Sequence, residues 1–264
     1  MVDCLKSYYD KQGFVTGVPI ISATEALTHR SILEAVEAER GPMHYQFKAH
    51  TAMCSPYQLA TLPNLLDIVE QFIGPDILLY SAAYIVKEAH SESHVSWHQD
   101  LTYWGLDSDA QVSVWLALSD ASEASGCMHM IAGSHKRGQQ KHHNTQDANN
   151  VLLSGQTIAD IDTHQSVVTS LKAGEASFHH GWTVHCSKPN VSDDRRIGLN
   201  IQYINPAVKQ IKQQQDSAIL VRGVDNYGHF QTDQPATSNF DVEAWQNQQN
   251  LDAKLKGIQG NTTK

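Results

Sequence analysis

Apolar residues recur along this chain at two different spacings, helical at first and then strand-like. Residues 2 to 12 read as a short helix broken at Gly13, and Phe14 to Ile21 read as a strand because of their β-branched residues. Ser22 and Glu25 form a capping-box pair ahead of Ala26, Leu27, Ile32, Leu33 and Val36, which predicts a helix to about Arg40, ended by Gly41-Pro42. Pro63-Asn64 opens another helix through Leu65, Leu66 and Val69 that closes at Gly74-Pro75. From Ile77 the texture changes to short runs: Ile77 to Val86, His94 to Asp100, Gln111 to Leu118, Met128 to Ile131, Glu175 to His179, Thr183 to Ser187 and Arg196 to Ile204. Many short strands separated by Gly, Ser and Asp turns predict a sandwich or jelly roll, mainly β with flanking helices. The polar stretch from Lys136 to Ser170, interrupted only by Val151-Leu152-Leu153, is too long for a tight connection and reads as a lid or a surface loop. Asp241 to Leu255 has helix-compatible composition, and no internal repeat is evident.

Composition narrows the function classes. At 264 residues, 41% hydrophobic and 18% charged, the chain suits one domain with an ample core. A net charge of −9 argues against nucleic acid or an anionic membrane as partner. Cys4, Cys54, Cys127 and Cys186 form no Cys-x-x-Cys pair, so free thiols in a reducing cytoplasm are expected. The start of the chain lacks a signal-peptide pattern, and no apolar run reaches the roughly 20 residues that span a bilayer.

The chemistry centres on Trp97-His98-Gln99-Asp100. On a strand, alternate side chains share a face, so His98 and Asp100 could take adjacent positions on one metal ion. Fifteen histidines, with Asp at typical usage, give roughly one His-x-Asp by chance, and His90-Ser91-Glu92 competes nearby. Context decides. Together with Val114-Trp115-Leu116-Ala117-Leu118, Gly133-Ser134-His135, His185-Cys186-Ser187-Lys188-Pro189-Asn190 and Arg195-Arg196, the stretch resembles the phytanoyl-CoA dioxygenase family of iron(II)- and 2-oxoglutarate-dependent oxygenases, strongly over roughly residues 77 to 230.

That resemblance implies a single domain over 1–264 with a double-stranded β-helix (jelly roll) core at about 77–222, a helical part at about 1–76 and a C-terminal extension at about 223–264. It implies Fe(II) held by His98, Asp100 and His185, with 2-oxoglutarate and O2 as cosubstrates. The cosubstrate's far carboxylate needs a fixed cation, and the family's spacing places it at Arg196. Alternation supports Arg196 over Arg195, because Arg196, Gly198, Asn200 and Gln202 form a polar strand face opposite Ile197, Leu199, Ile201 and Tyr203. Arg195 would otherwise be a solvent-facing charge. Trp115, whose ordinary role is core packing, and Gln99 and Lys87 are further candidates for the cosubstrate pocket. The Asp100 carboxylate implies hydroxylation rather than halogenation, with 2-oxoglutarate converted to succinate and CO2.

The remaining histidines have ordinary readings: His179 and His180 precede a Gly-Trp turn, where one of them could still line the pocket, His135 stabilises a turn, and His142-His143 is solvated loop. The stretch Asp216 to Phe230 resembles bacterial members of the family that act on small polar molecules, such as 2-aminoethylphosphonate hydroxylases. A phosphonate would call for cationic donors and an ammonium for carboxylates or aromatic faces, with His129, Arg222, Tyr103 and Asp107 as candidates. Acyl-CoA hydroxylation is the alternative, served by the modest basic strip of Lys136, Arg137 and Lys141. A non-catalytic jelly-roll metal- or ligand-binding protein is the other, though such a site has no need of an arginine matched to a dicarboxylate.

Overall fold

The computed structural model describes residues 2–260 apart from 146, 153, 154, 213 and 214; Leu153 and the side chain of Cys4 lie outside the described residues. Helix α1 (Val2–Gln12) runs into strand β1 (Phe14–Pro19), followed by α2 (Ala23–Arg40), α3 (Cys54–Ala60) and α4 (Pro63–Ile73). Next come β2 (Ile77–Lys87), β3 (Val95–His98), the single turn α5 (Leu101–Trp104), β4 (Gln111–Ala117) and β5 (Met128–Ile131). Then follow β6 (His142–Asn144), β7 (Gln156–Ile158), β8 (Ser166–Thr169), β9 (Glu175–His179), β10 (His185–Ser187) and β11 (Arg196–Ile204). The chain closes with β12 (Ser217–Arg222), β13 (Gln231–Thr232) and α6 (Val242–Gly260). The capping box is present: Glu25 N–H donates to the Ser22 hydroxyl at 3.2 Å, and Ser22 N–H donates to the Glu25 carboxylate at 2.8 Å.

Seven strands form a large sheet in the order β1-β9-β4-β11-β2-β12-β13, and four form a small sheet in the order β3-β10-β5-β8. The large sheet's outer face is sealed by the helices. Alternate residues of β11 (Ile197, Leu199, Ile201, Tyr203) pack there with Leu33 and Val36 of α2 and Leu65 and Val69 of α4. The inner face meets the small sheet through a second layer, in which Ile85 and Trp115 lie against Met128 and Met130. The site lies between the two sheets.

Strand β1 falls within the run Phe14 to Ile21 that reads as a strand, and it is the edge strand of the large sheet, paired with β9. The 136–170 stretch departs from the reading of the pattern, since it is not plain loop but holds the β6–β7 hairpin and β8. These strands are too short to show an apolar alternation: β6 and β7 hold one apolar residue, Ile158, between them, and in β8 Val167 and Val168 are adjacent. Cys54, Cys127 and Cys186 are free thiols, and among the described residues no helix is long and apolar enough to cross a membrane.

Helix α6 grips the core at one point. The Asp252 carboxylate accepts the Phe47 N–H at 2.8 Å, and the Gln248 side chain donates to the Phe47 carbonyl at 2.6 Å. One helical turn thus satisfies both backbone groups of a buried residue far away in sequence.

Gly198, on the inner face of β11, gives Trp115 its place: an added Cβ would fall 2.0 Å from the indole Cζ2. Gly198→Ala is therefore expected to displace the ring and cost about 1–3 kcal/mol. A urea midpoint unchanged from wild type would show that the indole yields freely.

Candidate functional site

Strands β3 and β10 are antiparallel neighbours with His98 opposite His185, which places the two imidazole rings 4.1 Å apart. Each ring is oriented by its own strand: His98 Nδ1 lies 2.8 Å from the Ser96 carbonyl and His185 Nδ1 lies 3.0 Å from the Thr183 carbonyl. A carbonyl only accepts, so both Nδ1 atoms carry the proton and both Nε2 lone pairs are free to bind a metal. Burial, reinforced by neighbouring His98, pushes His185 well below the ordinary imidazole range, so it is a neutral donor.

Asp100 arrives differently from the strand alternation expected. Strand β3 ends at His98, and Asp100 has α-helical dihedrals (φ −58°, ψ −46°) at the start of α5. The tight turn does what alternation was expected to do: Asp100 Oδ1 lies 3.3 Å from His98 Nε2 and 3.6 Å from His185 Nε2. Its Oδ2 accepts from Ser113 Oγ at 2.7 Å and from His179 Nε2 at 3.1 Å. Burial alone would raise the carboxyl, but His185, His179 and His98 around it hold it well below the usual carboxylate range. Ligand atoms of His98, Asp100 and His185 all lie within 4.8 Å of one another. Adjacent ligands at bond lengths of about 2.1 Å sit roughly 3 Å apart, so two neutral imidazoles and one carboxylate fit a divalent ion with little movement.

Gln99, between the two ligands, faces away from the cleft. Fully buried, its side chain donates to the carbonyls of Gly138 and Trp182, both at 2.8 Å, and accepts from Gln140 N–H at 2.7 Å. These bonds leave it no reach toward a cosubstrate. Its backbone N–H donates to His142 Nε2 at 3.2 Å, so His142 is a fixed acceptor rather than solvated loop.

Arg196 lies on the inner face of β11, 1% exposed, with its guanidinium carbon 5.1 Å from the Trp115 ring centroid. Its Nη1 donates to the Gly126 carbonyl at 2.6 Å, and its Nε has no partner among the described residues. Burial lowers it to about 10. A buried guanidinium with no carboxylate beside it is costly, and an anionic ligand would compensate it. Arg195 instead faces out among Glu37 at 2.8 Å and Glu88 at 3.0 Å. Lys87, opposite Arg196 in register, donates to Ser187 Oγ at 2.9 Å and to the Lys188 carbonyl, with burial foremost in lowering it to about 6.

One cleft of about 740 Å³, counting its open mouth, joins the triad to Arg196, with Trp115, Tyr103 and Leu152 in its wall. His129 follows Met128 on β5; Met128 lines the cleft and His129 does not. Arg222 lies outside it, paired with Asp67 and Glu70, each at 2.8 Å. The Asp107 carboxylate accepts the Lys209 N–H at 2.8 Å, and exposed His90 meets Asp193 at 3.0 Å. The sequence reading missed Ser113; of His179 and His180 it expected that one could line the pocket, and His179 does, but it did not foresee the contact with Asp100. Ser113 and His179 face each other in register on β4 and β9, a cross-strand relation that spacing along one chain does not carry. It also missed Tyr45, Phe47 and Trp104, whose aromatic rings look like ordinary core until the cleft is seen.

The family model described as phytanoyl-CoA dioxygenase matches residues 21–198. Peroxisomal phytanoyl-CoA dioxygenase of Bos taurus is 29% identical over 152 residues, covering 56% of this chain and 45% of that protein. A probable alpha-ketoglutarate-dependent hypophosphite dioxygenase of Stutzerimonas stutzeri is 28% identical over 142 residues, covering 53% and 49%. The chain thus spans about half the length of these curated relatives. Among solved structures, the apo form of the non-heme monooxygenase ThoJ superposes with a TM-score of 0.85 at 32% identity, covering 98% of each chain.

Proposed function

Since the chain belongs to the phytanoyl-CoA dioxygenase family, we propose that it is an iron(II)- and 2-oxoglutarate-dependent dioxygenase that hydroxylates a carbon of a small molecule and releases succinate and CO2. The observation that carries this reading is one cleft with a two-histidine, one-carboxylate set at one place and a buried, carboxylate-free arginine at another. Iron bound to His98, Asp100 and His185 would supply oxygen activation, with coordination positions open for the cosubstrate.

The chain's own residues do the rest. Ser113 and His179 fix Asp100 through Oδ2 and leave Oδ1 toward the two imidazoles. Backbone carbonyls of Ser96 and Thr183 hold the histidine tautomers. Arg196 is placed to take the far carboxylate of 2-oxoglutarate, its charge unspent on any protein anion. The aromatic wall limits water around the reacting centre.

The organophosphonate reading, 2-aminoethylphosphonate included, loses support from residue placement, because Arg222 and His129 are outside the cleft and Arg196 is its one lining cation among the described residues. Lys136, Arg137 and Lys141, the strip that an acyl-CoA would need, are exposed and do not line it either.

Anaerobic addition of Fe(II) and 2-oxoglutarate should produce a weak visible charge-transfer absorption, and oxygen should then yield succinate. No absorption at saturating concentrations of both would overturn the oxygenase reading.

A further inference from the structure

We propose that the molecule oxidised in this cleft carries an uncharged amide, as a blocked amino acid or a short peptide does, and that the side-chain carboxamides of Asn200, Gln202 and Gln259 recognise it. The proposal rests on the oxygenase reading above and names the substrate class of the same site.

The inner face of β11 sets out the order of subsites. Arg196, Gly198, Asn200 and Gln202 all point inward, and at about 3.3 Å per residue Gln202 stands roughly 20 Å along the strand from Arg196. Gln202 is opposite Ser113, the residue whose hydroxyl holds Asp100, so it lies toward the Asp100 end of this face, with Arg196 at the other. A short dicarboxylate whose far end is held at Arg196 does not extend along the face to pair with Gln202 as well, which leaves Gln202 for something else. Gln202 is 4% exposed, and its Oε1 and the Oδ1 of Asn200 have no hydrogen-bond partner among the described residues. Gln259 enters the cleft from α6 and is also 4% exposed.

A buried carboxamide left unpaired is unfavourable, and its natural complement is another amide, which accepts at its carbonyl and donates from its N–H. The cleft wall is otherwise largely apolar, with the rings of Tyr45, Phe47, Tyr103 and Trp104 beside Val95 and Leu152. Burial pushes Tyr45 up to about 12, so its phenol stays neutral. Arg196 is the single cationic side chain lining the cleft among the described residues, and in the oxygenase reading its partner is the cosubstrate. A substrate phosphonate or free carboxylate would find no further cation to neutralise it there. An amide with an apolar body matches both the carboxamides and the walls.

The test is a succinate-release screen with Fe(II) and excess 2-oxoglutarate. The probes are N-acetyl amino-acid N-methylamides of all side-chain types and mixed short peptides with blocked ends, set against free amino acids, phosphonates, betaines and acyl-CoAs. Stimulation confined to the amide probes, and reduced about tenfold or more at subsaturating probe in both Gln202→Ala and Asn200→Ala with the Fe(II)-2-oxoglutarate absorption retained, is the expected result. Stimulation by a phosphonate, free amino acid, betaine or acyl-CoA overturns the proposal, as does an absence of stimulation by every amide probe while the absorption is intact. Stimulation unaffected in the two variants also overturns it. Loss of the absorption in the wild-type protein overturns the oxygenase reading instead, so the two failures are distinguishable.

Discussion

Asp100→Ala is expected to lower succinate formation at least a thousandfold and to strip iron from the protein, while the circular dichroism spectrum stays that of wild type. The carboxylate is the one anionic ligand of the set, and without it two neutral imidazoles remain, too few for a tight site. The same change leaves His179 Nε2 and Ser113 Oγ facing a void where they had shared Oδ2, so a stability loss of about 1–3 kcal/mol should accompany it. Iron content after gel filtration, succinate yield and a thermal melt measure these effects separately. Undiminished turnover would remove Asp100 from the centre.

Arg196→Met should act on the cosubstrate rather than on the metal. Losing a charge-assisted, paired contact of about 3 kcal/mol raises the 2-oxoglutarate requirement about a hundredfold or more, with iron content unchanged. A second effect points the other way. Free of ligand, the wild-type protein buries a guanidinium whose Nε is unpaired, and replacing it by an apolar side chain of similar length should raise the melting temperature of the ligand-free protein. Saturating 2-oxoglutarate should reverse that ranking, since a ligand stabilises only the form that binds it. Arg195→Ala is the control: Arg195 and its partners Glu37 and Glu88 do not line the cleft, so the 2-oxoglutarate requirement should be that of wild type. The opposite pattern would make Arg195 the clamp.

How much of this could be read in advance depended on whether the signal ran along the chain or across it. The capping box at Ser22, the helix opening at Pro63 and the limits of β5, β9 and β11 are local patterns, and they appear where the pattern places them. The two faces of β11 were legible because eight residues, Arg196 to Tyr203, alternate without a break, which also separated Arg196 from Arg195. The His98–Asp100 pairing was legible as composition but not as geometry, since one helical turn replaces strand alternation at Asp100. Residues that act across strands were hidden: Ser113 and His179 sit in apolar runs, and only sheet register brings them to Asp100. Gln99 shows the converse, a polar residue beside two candidate ligands whose hydrogen bonds turn it outward.

The grip of α6 on Phe47 ties two distant parts of the chain into one opening unit. Phe47 lines the cleft, and both of its peptide groups are held by side chains from a single turn of the last helix. Undocking that helix would expose those peptide groups and loosen the cleft wall in the same event, so the free energy of fraying at the C-terminal helix sets how often this wall opens. Protection of the Phe47 amide from solvent hydrogen exchange would therefore report on a helix residue, Asp252, 205 positions away in sequence.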